Sequence, residues 1–406
     1  MVQMGARRNY VYASQLEDAG LLHSLVTDIA WPAGQRPGWL MSLLLRLRPS
    51  LAGAVARRQV KSVDGNRIRA SVLPTIALGL KRIIHAERAY LVADFFLAAT
   101  ARRHSLLSVK LLVNYLGNGG PLLRRAKKRG IKIATDFIIT PLYLEVEHAE
   151  RERWPGWEIQ TTQQSTIDLY RQKLIDLLAI SDIYLCPSPG VVRDLGTLPG
   201  FDPAKVRLAP YGMSGVNIVP SKPEIGRVLF VGEAGLRKGI PYLAQAATLL
   251  RTKLPDCRIY VAGHVGDEVR NRAETANLHF LGPLDRAQLA EEYARADLLC
   301  LPSLAEGSAT TAFEAMANGL PIVTTVASGT MVNDGIEGLI VPERNGAAIA
   351  SAIEAIVGNR ALRASMSNAS FDAADQYSDK ACGSEFIKII NEIIVTQPSD
   401  CVSSHG

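Results

Sequence analysis

The sequence predicts an α/β protein built from two doubly wound, Rossmann-like domains. Three observations lead there. The chain has 406 residues, too many for one hydrophobic core and enough for two domains of ordinary size. Short β-branched apolar runs alternate with longer segments of helical period, the pattern of parallel strands joined by crossover helices. Several of these runs end directly in Gly or Pro-Ser. That sets tight turns at the carboxyl ends of strands, the edge where open α/β sheets bind ligands.

The elements follow in order. Only VQM precedes Gly5, so a first strand there would be unusually short. NYVYASQLEDAGLL and GPLLRRAKKRG have helical spacing, and residues 24–30, 108–117, 131–137 and 182–188 read as strands. A Gly-, Ser-, Asn- and Pro-rich linker occupies about 210–223. Beyond it, strands are expected at 227–232, 257–263, 278–282, 297–303, 321–325 and 337–342, with helices between them. Phe386, Ile389, Ile390, Ile393 and Ile394 are spaced for a last helix. The expected division is a first domain over 1–215, a second over 222–375, and a helix over 379–395 able to pack back on the first.

Composition excludes several classes. The chain is 48% hydrophobic and 21% charged, which fits neither a disordered nor a collagen-like protein. The net charge of +6 is uneven: residues 1–200 hold 27 Lys+Arg against 16 Asp+Glu, the remainder 18 against 23. A basic first half can meet an anionic partner or simply be a solvated surface. Cys186, Cys257, Cys300, Cys382 and Cys401 are scattered without metal-ligand spacing, as in a reducing compartment. No signal-peptide pattern opens the sequence and no run of about 18 apolar residues occurs, so a cytoplasmic location is expected.

Two stretches carry chemistry. In AEGSATTAFEAMANGLPIV (305–323), Glu306 and Glu314 stand seven residues apart. Gly307, Ser308 and Ala309 are small enough for backbone to approach a ligand. The following helix would present N–H groups to a diphosphate. Thr311 and Glu314 also have capping-box spacing, so Glu314 either binds a ligand or caps its helix. In FVGEAGLRKGIPYL (230–243), Gly232 ends a strand, and Arg237 and Lys238 stand before a helix where cations can neutralise a leaving diphosphate. An ordinary Lys-Gly turn would read the same way. The P-loop spacing is absent.

Together these stretches resemble the second domain of family 4 glycosyltransferases, retaining enzymes of the GT-B fold. The resemblance rests on Gly232, Lys238-Gly239, Glu306, Glu314-Ala315-Met316-Ala317 and Gly319-x-Pro321. It extends to AGH, HFLGPL and DGIEGLIVP, covers about 225–360, and is looser in the first half through GARRNY, RERWPGWE and PYG. It implies two Rossmann-like domains facing a central cleft and a nucleotide-sugar donor held mainly by the second. Glu314 would bind the ribose, Glu306 the transferred sugar, and Lys238 with Arg237 the diphosphate. Gly5 would face the donor phosphates, and Leu284 would lie where the base is contacted. His264 could meet a phosphate.

The resemblance departs in two places. Glu233 stands where the family commonly has Arg, and Ala134-Thr135-Asp136 stands where it often has His-Asp, which makes Asp136 the nearest polar candidate beside the reacting sugar. No Asp-x-Asp is present, so no metal and no other cofactor is expected. The acceptor would be a glycan or a lipid-linked one. Residues 39–61 are apolar with interspersed arginines and suit either an anionic membrane surface or a buried helix with basic ends. No RNA-binding motif appears, and a nucleic-acid partner is not expected. Rival readings are a GT-B nucleotide-sugar epimerase and an inactive glycan- or membrane-binding relative. A dehydrogenase lacks its G-x-G-x-x-G.

Overall fold

A computed structural model describes residues 1–6, 10–35, 58–79, 86–101, 106–116, 118–159, 162–213, 219 and 221–395. Residues 39–57, which hold most of the basic apolar stretch, and Cys401 lie outside them.

In the first half, strands β1 (Leu25–Thr27), β2 (Ile68–Ala70), β3 (Leu111–Tyr115), β4 (Lys132–Asp136), β5 (Ile183–Cys186) and β6 (Val206–Leu208) are all parallel. The expected short first strand shrinks to one residue. Val2 bridges Val26 on one side and Asn114 on the other, joining the β2–β1 pair to the β3–β4–β5–β6 sheet. Its N–H donates to Val113 at 2.8 Å and its carbonyl accepts from Tyr115 at 3.3 Å. The order thus runs outward both ways from Val2, the doubly wound arrangement.

The second half repeats this with six parallel strands: β7 (Arg227–Val231), β8 (Arg258–Ala262), β9 (Leu278–Gly282), β10 (Leu298–Leu301), β11 (Ile322–Thr324) and β12 (Gly338–Ile340). Their order is β9-β8-β7-β10-β11-β12. The reversal falls between β7 and β10, both wholly buried as central parallel strands covered on two faces should be. Helices Ile240–Lys253, Thr310–Ala317 and Gly346–Gly358 supply the cover. Two Rossmann-like sheets meeting at a cleft are therefore what the sequence predicted.

Three segments, among other contacts, tie the halves together. Helix Asp379–Val395 buries Phe386, Ile389, Ile390 and Ile393 among Tyr10, Tyr12, Tyr115 and Tyr211 of the first half, with Phe386 stacked on Tyr12 at 4.0 Å between centroids. Beside the start of that helix, Met213 exchanges backbone bonds with Tyr377 (2.9 Å) and Asp379 (3.1 Å). Gly212 permits this: a Cβ there would lie 2.6 Å from the Asp379 Cα. The third segment was not foreseen. Helix Tyr143–Arg153 and the WPGW turn after it form a hood over the second half. Trp157, 1% exposed, belongs to the second half's core although it is encoded before residue 215.

Phe386→Ala should therefore lower unfolding stability by about 3–5 kcal/mol, the usual cost of deleting a buried aromatic ring. Chemical denaturation measures it, and a loss under 1 kcal/mol would show that the last helix is not held by the first half's core.

Candidate functional site

The carboxyl ends of β7 and β10 diverge at the order reversal, and the residues singled out in the sequence converge there. After β7 the chain passes Gly232 and forms a single 3-10 turn, Leu236–Lys238, that carries both cations. After β10 it passes Pro302 and Ser303 to Glu306. Lys238 Nζ lies 2.8 Å from Glu306 Oε1, and Arg237 pairs with the same oxygen. Arg237 also donates to the Ala305 carbonyl at 2.8 Å and lies 3.5 Å from Glu147 of the hood. Glu306 is 13% exposed, so this three-way pairing is well shielded from water and strengthened by that. Lys238 runs under Gly232, where an added Cβ would sit 3.6 Å from its Nζ.

Gly307 also meets the first half. A Cβ on it would fall 1.8 Å from the Ile138 carbonyl oxygen of the first half. Around it, the Thr140 N–H donates to the Glu306 carbonyl at 3.1 Å and Ser188 Oγ donates to the Gly307 carbonyl at 2.7 Å. Ala309 is buried with its N–H on the Gly329 carbonyl at 3.3 Å. The hydroxyls of Ser303, Ser308 and Thr311 are buried without a hydrogen-bond partner among the described residues. Such orphaned hydroxyls beside a helix start and two cations fit an anionic ligand group.

Helix Thr310–Ala317 removes the cap reading of Glu314. Its N-cap is Ala309, with no side-chain cap bond, and Thr311 lies inside the helix. Glu314 is therefore no capping-box partner. Its Oε2 accepts from the Tyr293 hydroxyl at 3.0 Å. Burial pushes the Glu314 carboxyl above its ordinary value, and the Tyr293 bond opposes that shift. Burial together with Glu314 pushes the Tyr293 phenol well up.

The remaining candidates are held by other partners. Asp136, at the end of β4, is 1% exposed and accepts from the Tyr211 hydroxyl on both oxygens, at 2.9 and 3.0 Å. A carboxylate so engaged holds the PYG segment. Gly5 has its N–H on Asp28 Oδ1 at 3.0 Å, and Asp28 also receives Arg58 and Thr75. His264 exposes its ring and accepts the Ala234 N–H at its carbonyl, 2.8 Å away. Leu284 is half-buried against the second core. Glu233 is exposed.

Sequence reasoning missed three contributors. Glu147 and Glu158 of the hood reach the cation loop, and only RERWPGWE hinted at their segment. Tyr293 meets Glu314 from helix Arg286–Arg295, for which no motif exists. Among the described residues, no group of three His, Cys, Asp or Glu is arranged to hold a metal ion.

Comparison with known proteins agrees with the geometry. Residues 226–359 match the family "Glycosyl transferases group 1". A D-inositol 3-phosphate glycosyltransferase of Corynebacterium aurimucosum is 29% identical over 60% of this chain and 58% of its own length. A phosphatidyl-myo-inositol mannosyltransferase of Mycolicibacterium smegmatis is 28% identical over 68% and 76%. The chain spans little more than half the length of several such relatives. Among solved structures, sucrose-phosphate synthase from Thermosynechococcus elongatus superposes with a TM-score of 0.64 at 16% identity, covering 97% of this chain and 96% of that one. Anabaena HepE, solved with UDP and glucose, superposes at 0.59 and 12% identity over 96% and 98%. The second half, with Lys238 and Glu306 at its sheet reversal, thus matches glycosyl transferases group 1 over residues 226–359, in a chain of the GT-B fold.

Proposed function

We propose that the chain transfers a sugar from a UDP- or GDP-sugar to the hydroxyl of a glycan or lipid-linked acceptor, with retention, in bacterial surface polysaccharide or glycolipid assembly. The observation that carries this is the convergence of Lys238 and Arg237 on Glu306 at the crevice between β7 and β10. The names of the bacterial relatives and the UDP and glucose of the HepE structure support the donor and acceptor classes.

On this reading Lys238 exchanges Glu306 for the donor diphosphate and neutralises it as the bond from phosphate oxygen to anomeric carbon breaks. The leaving oxygen keeps the electron pair. The acceptor hydroxyl forms its bond on the face the diphosphate leaves, and its proton passes to that oxygen. Glu306, released from Lys238, is free to accept from the sugar hydroxyls, and Glu314 from the ribose. The two cations, the helix start and the unpartnered hydroxyls supply the charge stabilisation, with no divalent ion.

We place the reaction in the cytoplasm, at the inner face of the membrane. No described helix is long and apolar enough to cross a membrane. The basic segment 39–61 and the exposed Val72, Leu73, Ile76, Leu91 and Phe95 of the first half support a surface contact.

Lys238→Ala should weaken nucleotide-diphosphate binding about 10- to 100-fold and lower turnover with it, because a charge-assisted bond is worth roughly 1.5–3 kcal/mol. Calorimetry with UDP and GDP reads the binding, and unchanged affinity and rate would remove the residue from the site.

Excess chelator should leave turnover intact. Complete loss, restored by magnesium or manganese, would refute the metal-free mechanism.

Glu314→Gln should raise the dissociation constant of the bare nucleotide about tenfold, whereas Glu306→Gln should spare bare nucleotide and lower turnover. Equal damage to bare-nucleotide binding would show the two roles wrongly divided. Stability gives a second readout. The folded pKa of Glu314 is raised, so between its unfolded and folded values the native state binds the extra proton and stability falls as pH rises. Glu314→Gln should remove that fall, leaving thermal stability at pH 7 equal to or above that of the natural chain.

A further inference from the structure

The turn that presents the two cations has no cap of its own. Leu236–Lys238 is one 3-10 turn, and the residue before it, Gly235, offers no side chain for its first N–H groups. The missing acceptor comes from the hood. Glu158 Oε1 accepts the Leu236 N–H at 2.8 Å, and its other oxygen accepts from Arg151 Nε at 3.1 Å. Arg151 donates in turn to Glu147 Oε2 at 3.2 Å and Thr162 Oγ1 at 3.1 Å. The hood is firmly seated next to this bond. Trp157 is sunk in the second core, the Arg272 guanidinium lies 4.9 Å from its ring centroid, and Arg272 donates to the Pro155 carbonyl at 2.8 Å.

We propose that Glu158 is a positioning residue for the donor site: its carboxylate caps the Leu236–Lys238 turn and thereby holds Arg237 and Lys238 at Glu306. The inference rests on the donor reading given above and adds a residue outside the matched domain. Two carboxylates of the hood bracket the loop, Glu158 on its backbone and Glu147 3.5 Å from the Arg237 guanidinium. An apolar side chain at 158 would leave the Leu236 N–H without its acceptor while Leu236 itself stays buried, so the turn would lose its fixed start. A glutamine retains a carbonyl oxygen for that N–H.

The test compares Glu158→Ala and Glu158→Gln in the full chain. Hydrogen exchange in the 233–239 segment reads the cap without any ligand. It should quicken at least tenfold in Glu158→Ala and stay near the natural rate in Glu158→Gln. Calorimetry then compares UDP and GDP with uridine and guanosine. In Glu158→Ala the affinity for the bound diphosphate should drop about tenfold, some 1.4 kcal/mol, with the matching nucleoside unaffected. Glu158→Gln should recover most of it. Exchange unchanged in Glu158→Ala would overturn the cap. Faster exchange with unchanged diphosphate affinity, or equal losses for diphosphate and nucleoside, would overturn the positioning role. If the natural chain bound neither diphosphate at millimolar concentration, the donor reading would fall and with it the role in binding, while the exchange comparison would still decide the cap.

Discussion

The two halves meet because Gly307 has no side chain. With its Cα against the Ile138 carbonyl, the Glu306 loop is gripped from both sides. The first half holds its backbone through Thr140 and Ser188, and the second holds its carboxylate through Arg237 and Lys238. Any side chain larger than hydrogen would have to push Ile138 away and take the loop with it. The position of the carboxylate therefore depends on the two sheets being in contact, and a cleft held apart would release one of its two supports. Gly190 repeats the device nearby: a Cβ there would lie 2.5 Å from the Val326 carbonyl. Backbone packs on backbone along this seam, which leaves little room for side-chain adjustment.

Charge crosses the seam in a way the totals conceal. The first half is basic overall and the second acidic, yet several contacts run the other way. Glu150 of the hood is fully buried, and it accepts from Arg344 of the second half at 2.6 Å and from the Tyr242 hydroxyl at 2.6 Å. Trp154 donates to the same hydroxyl at 3.2 Å, so the buried carboxylate sits in a connected network. Arg193 and Glu343 pair at 2.8 Å, this time with the cation on the first half. A buried carboxylate without its partners is expensive, so Glu150 makes docking of the hood conditional on Arg344 and Tyr242 being in place.

What could be read from sequence follows the burial of each element. The second half was legible because its central strands are buried on both faces and so carry near-continuous apolar runs such as VLFV and LLCL. β2 and β6 went unseen because each has only three residues and is partly exposed, which leaves no pattern. The hood helix was opaque for the opposite reason. It buries only Glu150, so YLEVEHAERER reads as a solvated charged helix although it covers the cation loop. The loop residues Gly232, Arg237, Lys238 and Glu306 were found because local order along the chain places them at two strand ends. Glu158 and Tyr293 were not, since their partners lie 78 and 21 residues away. Thr311-x-x-Glu314 matched a cap in spacing alone, and spacing does not say that the helix starts at Thr310, two residues before a Thr311 cap would start it.

The hood makes the unit of inheritance differ from the unit of packing. Trp157, Glu150 and Glu158 are written in the first half of the sequence and serve the second. Recombination between relatives at the Gly- and Pro-rich linker would join one parent's hood to the other parent's cation loop, although both sheets arrived intact. First halves could then be traded freely only among relatives that agree on the indole pocket, the Arg344 partner and the length of the turn before Lys238. A crossover that carried residues 143–158 along with the second half would keep those matches, but it needs two additional junctions within the first. The easy cut and the harmless cut are in different places, so diversification of the first half in this architecture is steered toward point changes within a lineage and away from exchange of whole halves.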